Sequence, residues 1–208
     1  MHKSEYRTFL DNNFKGLKVR TPLFYSWDIG IRFNLQIDAA NDEDYFHEVN
    51  FRASSIFNDA FKTSDSIFLI FMDYKNKRSK IRLSNYIFKQ IKNLEKINLC
   101  FTKENQYYSG TSNICIIKTK KEEVIFQNIF KAIANSDFED REPRLDKSCF
   151  SSKEVYFVNL SKKIIFNMYD DRGLDIIASD KEILKSLYEK YNDWVLDYDR
   201  EKIDKVFL

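Results

Sequence analysis

The longest uninterrupted apolar run in the sequence, Ile67–Met72, is the feature that most limits what this chain can fold into. A helix that crosses a bilayer needs about 20 apolar residues, so this run is far too short to be one. Together with its flanks, residues 66–74, it is nearly continuously apolar, which is typical of a strand buried on both faces. The sequence therefore predicts a sheet with this strand in its interior.

Other periodic segments place further strands and helices around it. Apolar residues alternate with polar ones from Ile31 to Ile37, which predicts a half-buried strand over residues 30–38. Asn41 is a typical helix cap, and the residues after it form one apolar helical face: Tyr45, Phe46, Val49, Ala53, Ile56, Phe57, Ala60 and Phe61. Further patterns predict a helix after Ser84, strands over 97–102 and 113–118, and a helix over 121–134.

The last third of the chain has the clearest pattern. Two apolar segments, residues 155–158 and 164–169, flank a short polar turn, as in a hairpin. A second turn, Asp170–Gly173, contains a glycine that is free to adopt a positive φ, and a third strand and two helices follow. We predict an α+β fold: one domain over residues 1–208 whose mixed or largely antiparallel sheet is flanked by helices. Its C-terminal part is a three-strand meander followed by two helices. A domain seam, if present, would lie in the long connection 135–152.

Composition excludes several classes of function. The chain has 34 basic and 32 acidic residues and a net charge of +2, which argues against a protein that coats nucleic acid. Three widely spaced cysteines and two histidines do not form a zinc-site pattern, and they favour the reducing cytoplasm. We find no targeting or membrane-spanning segment, and we predict no catalytic residue, metal or cofactor.

The aspartate-rich turn is the sharpest local feature. Asp170, Asp171 and Asp175 lie within six positions of one another, beside Arg172. Such carboxylates could hold Mg²⁺ through oxygen ligands or act as an acid and base pair. The alternative is structural, because aspartate and glycine are the residues that a hairpin turn requires.

Two basic segments follow predicted strands. The first contains Lys75, Lys77, Arg78, Lys80 and Arg82, and the second contains Lys118, Lys120 and Lys121. If the two strands are parallel, both segments meet at the carboxyl edge of the sheet, where open α/β sheets bind anions. Tyr74, Tyr107 and Tyr108 could then stack on bases. The glycine-rich loop of the common phosphate-binding motifs is missing, however, and lysine runs are usually solvated loops.

Four segments of the chain form a recognisable pattern: Trp27–Leu35, Val155–Leu160, Met168–Ala178 and Leu187–Arg200. Its most specific part is the sequence Tyr-Asp-Asp-Arg-Gly within the third segment. Together these segments resemble a bacterial family, the domain of unknown function numbered 3885. The resemblance covers most of the chain and implies no catalytic residue. Small α+β families of this kind are often immunity partners of toxins, which is an analogy at the level of fold and composition.

Our leading hypothesis is a non-enzymatic module that binds a protein partner and resembles an immunity protein or antitoxin. Its predicted contact residues are Trp27, Asp170, Asp171, Arg172, Trp194, Tyr198 and Arg200. Two alternatives stay open: a nucleotide or nucleic-acid binder that uses the basic segments, and a magnesium-dependent enzyme that uses the aspartate-rich turn.

Overall fold

A computed structural model of the chain describes residues 2–75, 81–95, 98–106, 110–146 and 153–208. Its centre is a seven-stranded sheet in the order β1-β7-β6-β5-β2-β4-β3, in which every pair of neighbours is antiparallel. The strands are β1 (Gly30–Asn34), β2 (Ser66–Lys75), β3 (Leu99–Gln106), β4 (Gly110–Lys120), β5 (Lys153–Asn159), β6 (Ile164–Met168) and β7 (Gly173–Ala178). The helices are α1 (His2–Asn13), α2 (Asp42–Ala60), α3 (Phe126–Ala134), α4 (Lys181–Lys190) and α5 (Arg200–Phe207).

Both faces of the sheet are covered, as the apolar run predicts. Alternate residues of β2, among them Leu69 and Phe71, pack into a large core with α2, α3, α4 and α5. The residues between them, among them Phe68 and Ile70, pack on the other face into a smaller core that includes α1. Side chains of successive strand residues point to opposite faces, so a continuously apolar strand contributes to two cores at once.

The predicted fold class is confirmed. The sheet is antiparallel, helices flank it, and β5, β6 and β7 form the predicted meander before the last two helices. β5 follows the connection 135–152 and pairs with β2, which precedes it, so the sheet continues across the suggested seam. Residues 147–152 of that connection lie outside the described part of the chain, and the interpretation as one domain stays a prediction.

Two predicted helices differ, and one contact explains both. Only a 3-10 helix forms after Ser84, Tyr86–Gln90, and α3 begins at Phe126 instead of residue 121. Ile91 and Val124 are both extended and form an antiparallel bridge with each other. In a helix, the backbone N–H and C=O groups of Ile91 and Val124 would bond to residues three or four positions away and could not bond to each other. The long-range bridge therefore overrides the local helical pattern.

The outer edge of β1 is covered by the C-terminal part of the chain. Val195 forms a bridge with Phe33, and the Leu196 N–H donates to the Arg32 carbonyl at 2.9 Å. Covering an edge in this way satisfies backbone groups that would otherwise be open to another strand. No helix in the described part of the chain combines the length and the apolar character that a bilayer-spanning segment requires.

Gly173 is needed for close packing and not, as the sequence suggested, for a positive φ. Among the described glycines only Gly16 has a positive φ, of 84°. A Cβ at Gly173 would instead lie 2.7 Å from the Phe33 carbonyl oxygen and would also overlap the Tyr169 hydroxyl.

We therefore expect Gly173→Ala to lower the free energy of unfolding by about 1–3 kcal/mol, the usual cost of overpacking. Urea denaturation of the purified protein measures this. Gly16→Asn is the control: asparagine tolerates a positive φ, and no atom lies within 4 Å of the position that a Cβ would occupy there. Equal stability of Gly173→Ala and the wild-type protein would contradict the packing argument.

Candidate functional site

The β6–β7 turn brings two carboxylates together with a third from a distant loop. Asp171 accepts a hydrogen bond from the Tyr45 hydroxyl of α2 at 2.6 Å. Asp170 accepts from the Arg172 backbone N–H and from its Nε, each at 2.8 Å. Asp137 ends a 3-10 helix after α3, and carboxylate oxygens of the three aspartates lie within 4.8 Å of one another.

Asp175 does not belong to this cluster, although the sequence grouped it there. It is fully buried, and its carboxylate accepts from Arg32 Nε at 2.7 Å, Arg32 Nη2 at 3.0 Å and the Phe24 N–H at 2.9 Å. These bonds satisfy both oxygens, so Asp175 holds β1, β7 and the Phe24 backbone together. The third carboxylate of the cluster is Asp137, which no local sequence pattern connects to Asp170.

Asp171 should respond to pH in a defined direction. Burial raises the pKa of Asp171 above its ordinary value of 3.8, and repulsion from Asp170 adds to this, although the hydrogen bond from Tyr45 opposes both. A folded-state pKa above the unfolded one means that the folded protein binds the proton more tightly. This contribution to stability is therefore fully present below the unfolded pKa and is lost as the pH rises through the folded one.

We compare the free energy of unfolding of Asp171→Asn with that of the wild-type protein at two pH values. The difference should favour the variant more at neutral pH than at a pH below 3.8. The asparagine carries no charge and its Oδ1 can still accept from Tyr45. Urea denaturation of both proteins across this range measures the difference. A stability difference that does not change with pH would contradict the assigned direction of the pKa shift.

The residues predicted to contact a partner do not form one surface. Trp27 packs on the α1 side of the sheet, where its ring lies 5.3 Å from that of Phe14 and its Nε1 donates to the Ala178 carbonyl at 2.8 Å. Trp194 packs against the core on the opposite side. The two tryptophans therefore serve different faces of the sheet.

The structure gathers a different set of aromatic side chains around the segment that covers β1. We call Tyr25, Phe51, Trp194 and Tyr198 the aromatic strip. Tyr198 is 87% exposed, and Phe51 and Tyr25 are about half exposed, at 51% and 49%. Half-buried Trp194 lies 6.3 Å from Phe51 between ring centroids, and the Tyr25 hydroxyl donates to Asp199, the neighbour of Tyr198, at 2.8 Å.

Arg200 fixes this segment from within. Its guanidinium donates to the Asn192 carbonyl at 3.0 Å and to the Val195 carbonyl at 3.2 Å, and its Nε donates to Asp197. The Arg52 guanidinium lies over the Trp194 ring, 5.1 Å from its centroid. Both arginines thus position the strip, and most of the hydrogen-bonding capacity of Arg200 is used inside the protein.

An open groove of about 690 Å³ lies beside the strip, between α2 and α3. Its walls carry Phe46, His47, Asn50, Gln127, Asn128, Lys131 and Asn135, among others. Phe51 belongs both to the groove and to the strip. The exposed aromatic surface therefore continues into a concave one that is rich in carboxamide side chains.

The described start of the first basic segment lies far from the second segment. β2 and β4 are antiparallel, with Ser66 opposite Lys120 and Lys75 opposite Thr111. Lys75 and the segment Lys118–Lys121 thus lie at opposite ends of a ladder roughly 30 Å long. The parallel pairing on which the predicted shared anion site depended is therefore not present between β2 and β4. Lys77, Arg78 and Lys80 lie outside the described residues, as do Tyr107 and Tyr108, while Arg82 is exposed.

Lysines of the second segment have partners within the protein. Lys118 pairs with Glu5 of α1, and Lys120 lies 3.8 Å from Glu122. Lys121 is buried and donates to Asn58 Oδ1 at 2.6 Å. Burial lowers the pKa of Lys121, and nearby Lys162 lowers it further. These lysines mainly attach α1 and α2 to the end of β4.

Sequence comparison identifies the family. The profile of a domain of unknown function, DUF3885, matches residues 6–199, which is most of the chain. The chain belongs to the DUF3885 family. A relative in this comparison is the uncharacterized protein YnaE of Bacillus subtilis strain 168, with 30% identity over 211 residues that cover 91% of this chain and 96% of YnaE. No solved structure matches.

Two members of the strip, Tyr25 and Phe51, were missed in the sequence. Phe51 carried a signal, since it lies outside the apolar face of α2 that Val49, Ala53 and Ile56 define. A large aromatic side chain on the polar face of a helix places an apolar ring at the surface, and such a ring indicates a contact site where it joins a larger exposed patch. Tyr25 carried no such signal, because its position depends on how its loop lies against Asp199.

Proposed function

We propose that this DUF3885 protein is a non-enzymatic, cytoplasmic module that binds a protein partner through the aromatic strip and the adjoining groove. One observation carries this proposal: Tyr25, Phe51 and Tyr198, three large and substantially exposed aromatic side chains, gather with Trp194 around one segment. Tyrosine and tryptophan are the residues that most often dominate the binding energy of protein interfaces. An immunity protein or antitoxin is a module of this kind.

The way the segment is held supports the proposal. Val195 and Leu196 are bonded to β1, and Arg200 is bonded to the backbone on either side of Trp194. Anchors that are fixed before binding lose less conformational entropy when the complex forms. A surface whose side chains are both exposed and positioned is therefore suited to binding.

The proposal is tested by capture of a partner from native cells on the tagged wild-type protein, followed by affinity measurement with alanine variants. We expect Phe51→Ala and Tyr198→Ala each to weaken the identified complex by about tenfold or more, as anchors at an interface do. Phe101→Ala is the matched control, because Phe101 on β3 is exposed to the same extent as Phe51, 51%, but lies at the other edge of the sheet. Equal affinity of all three variants for the partner would contradict the proposal.

The magnesium-dependent alternative keeps one supporting observation, the three adjacent carboxylates of Asp137, Asp170 and Asp171. Two features weigh against it: the Arg172 guanidinium pairs with Asp170, and the Tyr45 hydroxyl already occupies an oxygen of Asp171. A ligand that binds the folded state must raise the thermal midpoint. A rise with Mg²⁺ or Mn²⁺ in the wild-type protein that disappears in Asp171→Asn would favour the alternative over a binding module.

A further inference from the structure

We infer that the partner presents a cationic polypeptide segment, rich in arginine or lysine, to the part of the strip formed by Tyr25 and Tyr198. This inference rests on the proposed function and names the chemistry of the partner. Three observations carry it: the net charge of the segment, the partners that its cationic side chains already have within the protein, and the cations that already lie over aromatic rings of this surface.

The segment around Tyr198 has a negative net charge, although the net charge of the whole chain is positive. Between residues 193 and 205 there are five carboxylates and three cationic side chains, whereas the whole chain has a net charge of +2. The Asp197 side chain is 94% exposed and pairs with Arg200, and that of Glu201 is 87% exposed and pairs with Lys205. Asp193 is also exposed, and no ion pair within the described residues involves it. With two more carboxylates than cations, the segment itself carries a net negative charge.

The cations of the same segment are engaged locally. The Arg200 guanidinium donates to backbone carbonyls and, from Nε, to Asp197 Oδ1 at 3.0 Å. Lys205 pairs with Glu201 at 2.7 Å. Lys202 lies over the ring of Phe24, with its Nζ 4.6 Å from the centroid. Arg200 thus pairs with Asp197, whereas no ion pair in the described part of the chain involves Asp193.

The protein already uses aromatic rings of this surface to hold cations. The Tyr25 ring has the Arg32 guanidinium 4.6 Å from its centroid and the Lys202 ammonium at 5.5 Å. Such contacts arise because the face of an aromatic ring is negative. Within the described part of the chain, the ring of Tyr198 makes no contact of this kind, although it is the most exposed ring of the strip. A cation from a partner that lay over Tyr198 would contact the acidic segment 193–205, in which Tyr198 directly follows Asp197.

Other occupants fit less well. A nucleic acid is a polyanion, and the exposed carboxylates would repel it. In a twofold-symmetric pair of this chain the same patch would face itself, which would place like charges opposite each other. A basic polypeptide is complementary both to the carboxylates and to the aromatic faces.

The test uses the full chain and a defined probe, a fluorescently labelled peptide made only of arginine, with fluorescence anisotropy at low salt. A glutamate-only peptide and a single-stranded DNA oligonucleotide are the comparison probes. We expect the wild-type protein to prefer the arginine peptide, and we expect Asp197→Lys and Tyr198→Ala each to weaken its binding by about tenfold. Tyr198→Phe, which keeps the aromatic face, should retain most of the affinity.

Asp11→Lys is the control, because it makes the same change of charge at an exposed residue of α1, on the other side of the sheet. Its affinity should stay within about twofold of the wild-type value, as expected for a charge remote from the contact. The inference is overturned if the arginine peptide does not bind, if Asp11→Lys weakens it as much as Asp197→Lys, or if the oligonucleotide binds more tightly. Thermal midpoints of the variants establish that they are folded.

The two proposals can fail separately. If partner capture depends on Phe51 and Tyr198 but the arginine peptide binds no better than the glutamate peptide, the strip is an interface and the cationic partner is wrong. If partner capture is insensitive to every substitution in the strip, the proposed function itself is wrong.

Discussion

Replacing Asp175 by alanine should lower the free energy of unfolding by about 3–5 kcal/mol, as expected when one partner of a buried ion pair is removed. The substitution leaves the Arg32 guanidinium, whose side chain is only 11% exposed, without its bidentate partner, and it leaves the Phe24 N–H without an acceptor. Among the carboxylates that the structure describes near Arg32, Asp199 would remain, 3.6 Å away. Urea denaturation at neutral pH measures the loss.

Asp197→Ala is the control for this prediction. Asp197 also pairs with an arginine, Arg200, but its carboxylate is almost fully exposed. Exposed pairs contribute about 0–1 kcal/mol, so this variant should unfold almost as the wild-type protein does. Similar losses in the two variants would show that burial does not decide the cost, and the structural role assigned to Asp175 would then be wrong.

Phe57→Ala should have a comparably large effect, about 3–5 kcal/mol, which is typical of truncating a large core aromatic side chain. Phe57 is fully buried, and its ring lies 4.4–5.3 Å from five other phenylalanine rings, those of Phe61, Phe126, Phe130, Phe157 and Phe166. These rings come from α3, β5, β6 and the residue after α2. Removing the central one leaves a cavity where the helix layer meets the sheet.

Phe51→Ala on the same helix separates this packing effect from helix propensity. Phe51 is half exposed, so the same change of residue type should cost less than about 1 kcal/mol. Thermal and urea denaturation of both variants make the comparison. If Phe51→Ala destabilised the protein as much as Phe57→Ala, the cluster would not be the centre of the core.

Phe51 and Phe57 also separate stability from binding. We expect Phe51→Ala to keep the fold and to weaken partner binding, and Phe57→Ala to weaken the fold throughout. A partner that was lost only in destabilised variants would argue against a specific surface. Both phenylalanines lie in α2, so the different effects expected of the two substitutions arise from the orientation of the side chains: Phe57 points into the core and Phe51 toward solvent.

Periodicity in the sequence was sufficient for much of the architecture. The continuous apolar run predicted that β2 is buried on both faces, and the turn residues predicted the meander β5–β6–β7. These features are local, because the spacing of apolar residues reports which faces of an element are buried. The resemblance to the DUF3885 family likewise depended on short segments of sequence and is confirmed.

The sequence by itself thus determined most of the elements that form and which of their faces are buried, whereas the tertiary structure decided which residues meet and, through the bridge between Ile91 and Val124, where two predicted helices give way to extended backbone. Local patterns do not encode strand direction or long-range pairing, so the antiparallel pairing of β2 with β4, which places Lys75 and Lys120 at opposite ends of the ladder, could not be read from them. The same holds for Asp175. Its position in the sequence suggested a cluster with Asp170, but in the fold its carboxylate pairs with Arg32. The aromatic strip exists only because the C-terminal segment lies along the edge of β1, where backbone bonds between distant residues bring Tyr198 beside Tyr25.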